Sequence, residues 1–353
     1  MTKCIAHVNV ARGYRGGERQ TELLIRELHG HDVNQVLVAR RGEQLGRRLG
    51  DADVEIREVS GQVWSVVGAL RGVDLIHVHE GRSVYAAYAR SLLSGTPYLL
   101  TRRVNNPIKH HWIAHQAYRR ARYVAAVAPQ VADIVHAYDP QIVPRVIHSG
   151  SSSLDFDSAR VAAIRARFPG KFLIGHVGAL DNKQKAQDLI IEVAGQFVAT
   201  HPEFQFVLVG GGDDEAMLRG SAARLGNLEF TGFVDNVGDY LEAFDLFILP
   251  SRKEGIGSIL LDAMQHGLAV IASRVGGVPE VVKHGENGLL IDSERPDQLA
   301  GAILELYRQP ALRAEFGRRG EEVARQFTAR VMCEKYLELY ESILGPIGRS
   351  DDG

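Results

Sequence analysis

Short runs of Val, Ile and Leu alternate along the chain with segments in which apolar residues return every three or four positions. The runs predict buried strands and the segments predict amphipathic helices, so the alternation predicts parallel sheets joined by crossover helices. In the first part the strand-like runs are CIAHVNV (4–10), NQVLVAR (34–40), VEIREV (54–59), DLIHVH (74–79), PYLLTR (97–102), RYVAAVA (122–128) and RVIHSG (145–150). Helical stretches lie between them; in ERQTELLIREL, Leu23, Leu24 and Leu28 recur at helical spacing. Residues 149–156, SGSSSLDF, break the periodicity with Ser and Gly and read as a linker. A second series follows: FLIGHVGAL (172–180), FQFVLVGGG (204–212), NLEFTGF (227–233), LFILPS (246–251), AVIASR (269–274) and GLLI (288–291). Beyond 294 the pattern is helical, and the tail GPIGRSDDG reads as frayed. The expected fold class is therefore α/β: two tandem Rossmann-like, doubly wound domains, with ligands in a cleft facing the C-terminal ends of the strands.

Composition narrows the class. A chain of 353 residues that is 45% hydrophobic and 24% charged suits two ordinary globular cores. Cys4 and Cys333 are too few and too far apart for a disulfide framework or a zinc site. No basic-then-apolar leader opens the chain and no run of 18 apolar residues occurs, so a cytoplasmic location is expected. The net charge of −2 hides an asymmetry, because residues 1–150 hold 20 Lys and Arg against 13 Asp and Glu, and 10 of the 14 histidines. That balance suggests an anionic partner for the first half, or simple variation between domains. No aromatic-basic platform or helix-turn-helix pattern accompanies it, so nucleic acid is not expected.

Several turns carry candidate chemistry. In ARGYRGGERQ (11–20), Gly16 and Gly17 precede a helix whose free amides would attract an anion; a tight strand-to-helix turn explains them equally. The dinucleotide pattern G-x-G-x-x-G is absent, and the second strand ends in Arg40-Arg41, which leaves only an NADP oxidoreductase as a residual reading. Lys183 and Lys185 follow a strand and suit a diphosphate, or are solvated surface lysines. Gly210, Gly211 and Gly212 permit close approach of a ligand or make a plain turn. The stretch SRKEGIGSILLDAMQHGLAVIASRVGGVPEVV (251–282) places Glu254 in a Gly-rich turn ahead of a helix expected to begin near Ile256. Ile256, Ile259, Leu260, Ala263 and Gly267 form its expected buried stripe, while Glu254, Ser258 and Asp262 follow one another at one-turn intervals along a flank. Two carboxylates in line can accept from several sugar hydroxyls. Gly276, Gly277 and Glu280 occupy the next strand end. Asp51-Ala52-Asp53 and Asp155-Phe156-Asp157 are D-x-D strings in a loop and the linker, so no metal site is expected. KHHWIAHQAYRRARY (109–123) reads as a helix with Ile113, Ala117 and Ala121 buried and a basic flank that is either solvated or free for anionic lipid.

The pattern E-G-x-G-x-x-x-x-[ED]-A-M-x-x-G, followed by G-G-x-P-E-x-V-x-x-G-x-x-G-L-L, resembles the retaining nucleotide-sugar glycosyltransferases of family four, which have the GT-B fold. The resemblance extends to Gly16-Gly17-Glu18, His77-Val78-His79, Thr101-Arg102-Arg103 and VGGGDDEAML, and the Thr-Arg-Arg element looks most like the branch that builds lipopolysaccharide and other surface glycans. It implies an acceptor-side domain over 1–152, a nucleotide-sugar domain over 153–329, and a last helix near 330–344 that returns to the first domain. It implies that Glu254 meets hydroxyls of the donor sugar, that Asp262 accepts from the ribose, and that Lys185 holds the diphosphate. The amides of Gly16, Gly17, Gly257 and Ser258 would help, Gly211, Gly277 and Glu280 would line the site, and Arg103 joins Glu254 as a catalytic group. The implied donor is a nucleoside diphosphate sugar, with UDP expected, and no cofactor is needed. The implied acceptor is a glycan or lipid-linked glycan, with peripheral contact to an anionic membrane on its cytoplasmic face. Three positions depart from the pattern: Asp262 stands where Glu is usual, Ala179 where Arg is usual, with Lys183 its expected substitute, and Ser149 where Asn is frequent. A sugar-nucleotide epimerase and a non-catalytic glycan-binding scaffold share the fold and remain alternatives.

Overall fold

The computed structural model describes residues 2–349, divided into two units: Met1–Ser152 with Thr328–Gly353, and Ser153–Phe327. Each unit is one parallel sheet covered by helices. In the first unit the strands are β1 (Lys3–Asn9), β2 (Val33–Arg40), β3 (Glu55–Val59), β4 (Leu75–Val78), β5 (Tyr98–Arg102), β6 (Tyr123–Ala126) and β7 (Arg145–Val146), in the order β3-β2-β1-β4-β5-β6-β7. In the second they are β8 (Phe172–Val177), β9 (Phe204–Val209), β10 (Leu228–Gly232), β11 (Leu246–Leu249), β12 (Val270–Ser273) and β13 (Leu289–Ile291), in the order β10-β9-β8-β11-β12-β13. Every Val/Ile/Leu run became a strand. In each sheet the order reverses direction once, between β1 and β4 and between β8 and β11. The loops leaving those strands diverge to opposite faces and open a crevice at the C-terminal edge of each sheet.

Strand alternation decides what lines each crevice. On one face of the first sheet Ile5, Leu75 and Leu99 join a core with Leu24, Leu28, Met332 and Tyr336, from helices Gly16–Glu27 and Ala329–Leu344. Two residues further along each strand the same face carries His7, His77 and Thr101, and two further Asn9, His79 and Arg103. Apolar residues therefore fill the lower part of this layer and polar ones its C-terminal rim. The other face is apolar over most of its length, with Ala6, Val8, Ile76, Val78 and Leu100.

In the second sheet Gly175 of β8 makes room for a ring: a Cβ there would lie 2.0 Å from Cδ2 of Phe244. The variant Gly175→Ala is expected to lose about 1–3 kcal/mol through overpacking. An unchanged urea midpoint would refute that packing.

Three sequence expectations are corrected. The helix over 251–282 spans Ser258–Gln265 and does not start near Ile256, because Gly257 adopts φ +69° and breaks the line. Ile256 is buried ahead of the helix, and the helix buries Leu260, Leu261, Asp262, Ala263 and Met264. In the helix Trp112–Arg120 it is Ala114, Ala117 and Tyr118 that are buried, while Ile113 and Trp112 are exposed. The tail is docked as far as it is described: Ile347 packs on the first unit's core and the Gly348 carbonyl accepts from the Asp32 amide at 2.8 Å; residues 350–353 lie outside the described residues. No helix among the described residues is long and apolar enough to cross a membrane.

Candidate functional site

In the second unit the crevice between β8 and β11 gathers three polar side chains. Lys185 ends the short helix Asn182–Lys185, and its Nζ lies 2.5 Å from Oε1 of Glu254. Ser251, two residues past β11, donates to the same Oε1 at 2.7 Å. Glu254 is almost fully buried and a fifth of the Lys185 side chain reaches solvent. Both bonds to Glu254 end on Oε1, so Oε2 is left to accept from a ligand, and the ammonium of Lys185 keeps two further donors. The geometry is fixed from behind by main-chain bonds. The amides of Arg252 and Lys253 donate to the Gln184 carbonyl at 2.8 and 3.1 Å, and Arg252 Nη1 donates to the Asn182 carbonyl at 2.6 Å. The next turn is tied in as well, since the Gly277 amide donates to the Gly255 carbonyl at 2.5 Å.

Gly257 precedes the helix in a left-handed conformation, and a Cβ on it would meet Leu260 at 3.0 Å and Leu249 at 3.2 Å, so only Gly fits. Ser258 is the first residue of that helix and Asp262 lies one turn on, buried. The line of polar groups on one flank thus starts at Ser258, and Glu254 stands in the turn beside Lys185. Lys183 is exposed. Gly210 and Gly212 have packing reasons of their own, because a Cβ would meet the Gly178 carbonyl at 2.1 Å or the Leu180 carbonyl at 2.4 Å. Gly211 has no such constraint; its nearest neighbours would be at ordinary contact distance. Glu280 sits half-buried on the short helix Val278–Val281. The D-x-D strings are engaged otherwise: Asp157 caps the helix Ser158–Ala166 and Asp51 pairs with Arg26.

In the first unit, Gly16 and Gly17 are the first two residues of the helix Gly16–Glu27 and do not precede it. The helix end already holds a carboxylate, since Glu18 Oε2 accepts from the Arg15 amide at 3.0 Å. Burial raises the pKa of Glu18, opposed by that backbone bond and by the Arg103 cation. Arg103 lies against Gly17, its Cδ 3.7 Å from where a Cβ would stand, and its Nη2 is 3.3 Å from His79 Nδ1. Beneath it, His77 Nε2 meets Thr101 Oγ1 and His77 Nδ1 meets the Tyr340 hydroxyl, both at 2.6 Å. Thr101 Oγ1 is 2.8 Å from the Tyr336 hydroxyl. Among the described residues His7, His77 and His79 form the one cluster with metal-ligand proximity, their ring nitrogens within 4.8 Å of one another. Burial depresses all three, His7 to about 3 and the others well below the usual range, so the three are neutral. Three of the ten histidines of the first half therefore add no charge to the balance of Lys and Arg over Asp and Glu.

Sequence reasoning missed Ser251, Arg252, His7, Tyr336 and Tyr340. His7 had a signal, a polar residue on the face that carries Ile5. The two tyrosines had none, because their partners lie more than 230 residues away.

The family described as glycosyl transferases group 1 matches residues 159–323, which is most of the second unit. Among characterised relatives, D-inositol 3-phosphate glycosyltransferase of Acidothermus cellulolyticus is 32% identical over 305 residues; the match spans 81% of this chain and 66% of that one. Alpha-maltose-1-phosphate synthase of Mycolicibacterium smegmatis is 26% identical over 93% of this chain and 95% of its own length. Among solved structures, Anabaena HepE in complex with UDP-glucose superposes with a TM-score of 0.85 at 20% identity, covering 96% of this chain and 99% of that one. Sucrose-phosphate synthase of Thermosynechococcus elongatus gives 0.78 at 19% identity, over 97% and 99%. Two Rossmann-like domains of the GT-B kind are thereby established as the fold. The names of the two relatives concern an inositol phosphate and a maltose phosphate, so the lipopolysaccharide type read from Thr101-Arg102-Arg103 is not carried by them.

Proposed function

From a chain that is a glycosyltransferase, with the group 1 family over residues 159–323, we infer a specific division of labour at the β8–β11 crevice. The donor is a nucleoside diphosphate sugar, with UDP the expected nucleotide. Lys185, already at the crevice, offers its two remaining N–H groups to the diphosphate as a point charge. Glu254 Oε2 accepts from hydroxyls of the sugar. The carrying observation is the Lys185–Glu254–Ser251 group, in which each partner fixes the next and one acceptor and two donors are left over. Asp262, shorter than the usual Glu, takes the ribose.

Transfer proceeds with retention in this reading. The bond from the anomeric carbon to the diphosphate oxygen breaks, its electron pair leaving on that oxygen, while the acceptor hydroxyl oxygen bonds to the same face. The hydroxyl proton passes to the departing phosphate. Glu254, turned to Lys185 and Ser251 through one oxygen, serves as an acceptor and not as the nucleophile. The acceptor is a hydroxyl of a surface glycan or its lipid-linked core. Exposed Trp112, Ile113 and Val104, close in sequence to Lys109, support contact with an anionic membrane.

Calorimetry with UDP, ADP and GDP, without added metal, tests the donor site. Binding of UDP at micromolar concentration, lost in Lys185→Ala, is the expected result. Binding of none of the three would reject the donor site. Formation of an altered sugar from donor alone would favour the epimerase reading.

A further inference from the structure

We propose that His79 and His7 are positioning residues that hold the Arg103 guanidinium through a one-directional run of hydrogen bonds, Arg103 to His79 to His7. The direction follows from the chemistry of the groups. Arginine has donors only, so His79 Nδ1, 3.3 Å from Arg103 Nη2, must accept. A neutral His79 then carries its proton on Nε2, which lies 3.1 Å from His7 Nδ1. His7 Nδ1 must therefore accept in its turn, and the His7 proton sits on Nε2. Gln35 lies next on the same face of the sheet; its Nε2 is fixed to the Ile25 carbonyl at 3.0 Å, which leaves its Oε1 as the acceptor presented to the histidines. His7 Nε2 and Gln35 Oε1 are both buried and otherwise without a partner. The arginine thus dictates the tautomer of two imidazoles.

The same assignment disposes of the cluster as a metal site. A metal needs a free lone pair on each imidazole. The lone pair of His79 is taken by Arg103 and that of His7 by His79, while both nitrogens of His77 are engaged by Thr101 and Tyr340. A guanidinium 3.3 Å from one ring would also repel a cation.

The run matters because Arg103 has little else to hold it. Its Nε and Nη1 are shut off from solvent and unpaired, so the bond to His79 is its one hydrogen bond. Resting on the functional reading, for which the family resemblance implies that Arg103 is a catalytic group, His79 fixes the orientation of the Arg103 guanidinium. His7, by accepting from Nε2, keeps His79 in the tautomer that can accept.

Imidazole nitrogen NMR of the full chain reads the tautomers without substrate. His79 and His7 are both expected as neutral Nε2–H rings, unchanged between pH 6 and 8, with signals assigned through His79→Gln and His7→Gln. In Arg103→Leu, a variant of a half-buried residue that leaves the histidines in place, His79 is expected to lose its fixed tautomer and show Nδ1–H. Nδ1–H at His79 in the unaltered chain, an unchanged spectrum in Arg103→Leu, or stoichiometric zinc uptake would each overturn the proposal. Kinetically, His79→Ala should lower kcat by about ten- to a hundredfold, the worth of one bond to a charged group, with the donor KM unchanged. His79→Gln, which can accept and donate, should recover part of it. A kcat equal to that of the unaltered chain in His79→Ala would remove the positioning role. Failure of any nucleotide sugar to react would count against the functional reading alone, since the tautomers are read in the unliganded chain.

Discussion

Between pH 7 and pH 5 the first unit should lose roughly 5 kcal/mol of stability, through three histidines that fold only as neutral rings. His7, His77 and His79 are at most 3% exposed, and His7 is held at about 3 with the other two well below their ordinary range. Unfolded, each titrates near 6.5. A depressed folded value means that the unfolded chain binds protons first as the pH falls. Their contribution is therefore fully present above about 6.5 and is lost progressively toward the folded values, by up to about 1.4 kcal/mol per group and pH unit. The groups facing them add to the effect or leave it alone: Arg103 opposes protonation, and Thr101, Tyr336 and Tyr340 are uncharged. Glu18 works in the other sense, because burial raises its folded value. Against a typical total of 5–15 kcal/mol, such a slope brings the first unit close to unfolding near pH 5. The second unit has a single comparable group, His176, held by burial at about 4, and should lose about a third as much. Both tryptophans, Trp64 and Trp112, lie in the first unit, so their fluorescence during urea titration reports that unit by itself. A urea midpoint that did not move between pH 7 and pH 5 would sink the assignment of neutral histidines.

These histidines also mark the limit of what the chain reveals before folding. The thirteen strands among the described residues could be read from their runs of Val, Ile and Leu, because a strand covered on both faces has little room for anything else. His77-Val78-His79 was visible as a motif, and its alternation already put both rings on one face. Their neutrality was not, because it depends on burial beneath Tyr336 and Tyr340 at the far end of the chain. The flank drawn through Glu254, Ser258 and Asp262 was lost for a different reason. Counting from Glu254 through Ser258 to Asp262 assumes one continuous helix, and a single residue with positive φ, Gly257, cancels that assumption. Glu254 is thereby turned toward Lys185, 69 residues earlier, which no local spacing encodes. Ile113 was misplaced because a three-residue stripe in a nine-residue helix fixes the buried face only to within one position.

The pairing of Lys185 with Glu254 makes the two variants at this site behave oppositely toward nucleotide. Removing the lysine leaves a carboxylate buried with only the Ser251 hydroxyl for company. For fully buried pairs that costs about 3–5 kcal/mol; a fifth of Lys185 is exposed, so Lys185→Met should cost the folded protein about 2–3 kcal/mol and abolish UDP binding. Glu254→Gln removes the charge and keeps the shape. Ser251 can still donate to the amide oxygen, and Lys185 is released from its counter-ion, so UDP should bind at least as tightly as before. Turnover should nevertheless fall by about a hundredfold, because the charged acceptor for the sugar hydroxyls is gone and each such bond is worth about 1.5–3 kcal/mol. In Lys185→Met/Glu254→Gln the stability loss should be smaller than the sum of the single losses by about 1–2 kcal/mol, since neither variant then strands a charge. Urea unfolding of the four proteins, with UDP calorimetry and turnover on each, separates these terms. If Glu254→Gln weakened UDP binding as much as Lys185→Met, Glu254 would be holding the lysine for the diphosphate and not receiving the sugar. If stabilities simply added, the 2.5 Å pair would carry no coupling and the two groups would meet the donor independently.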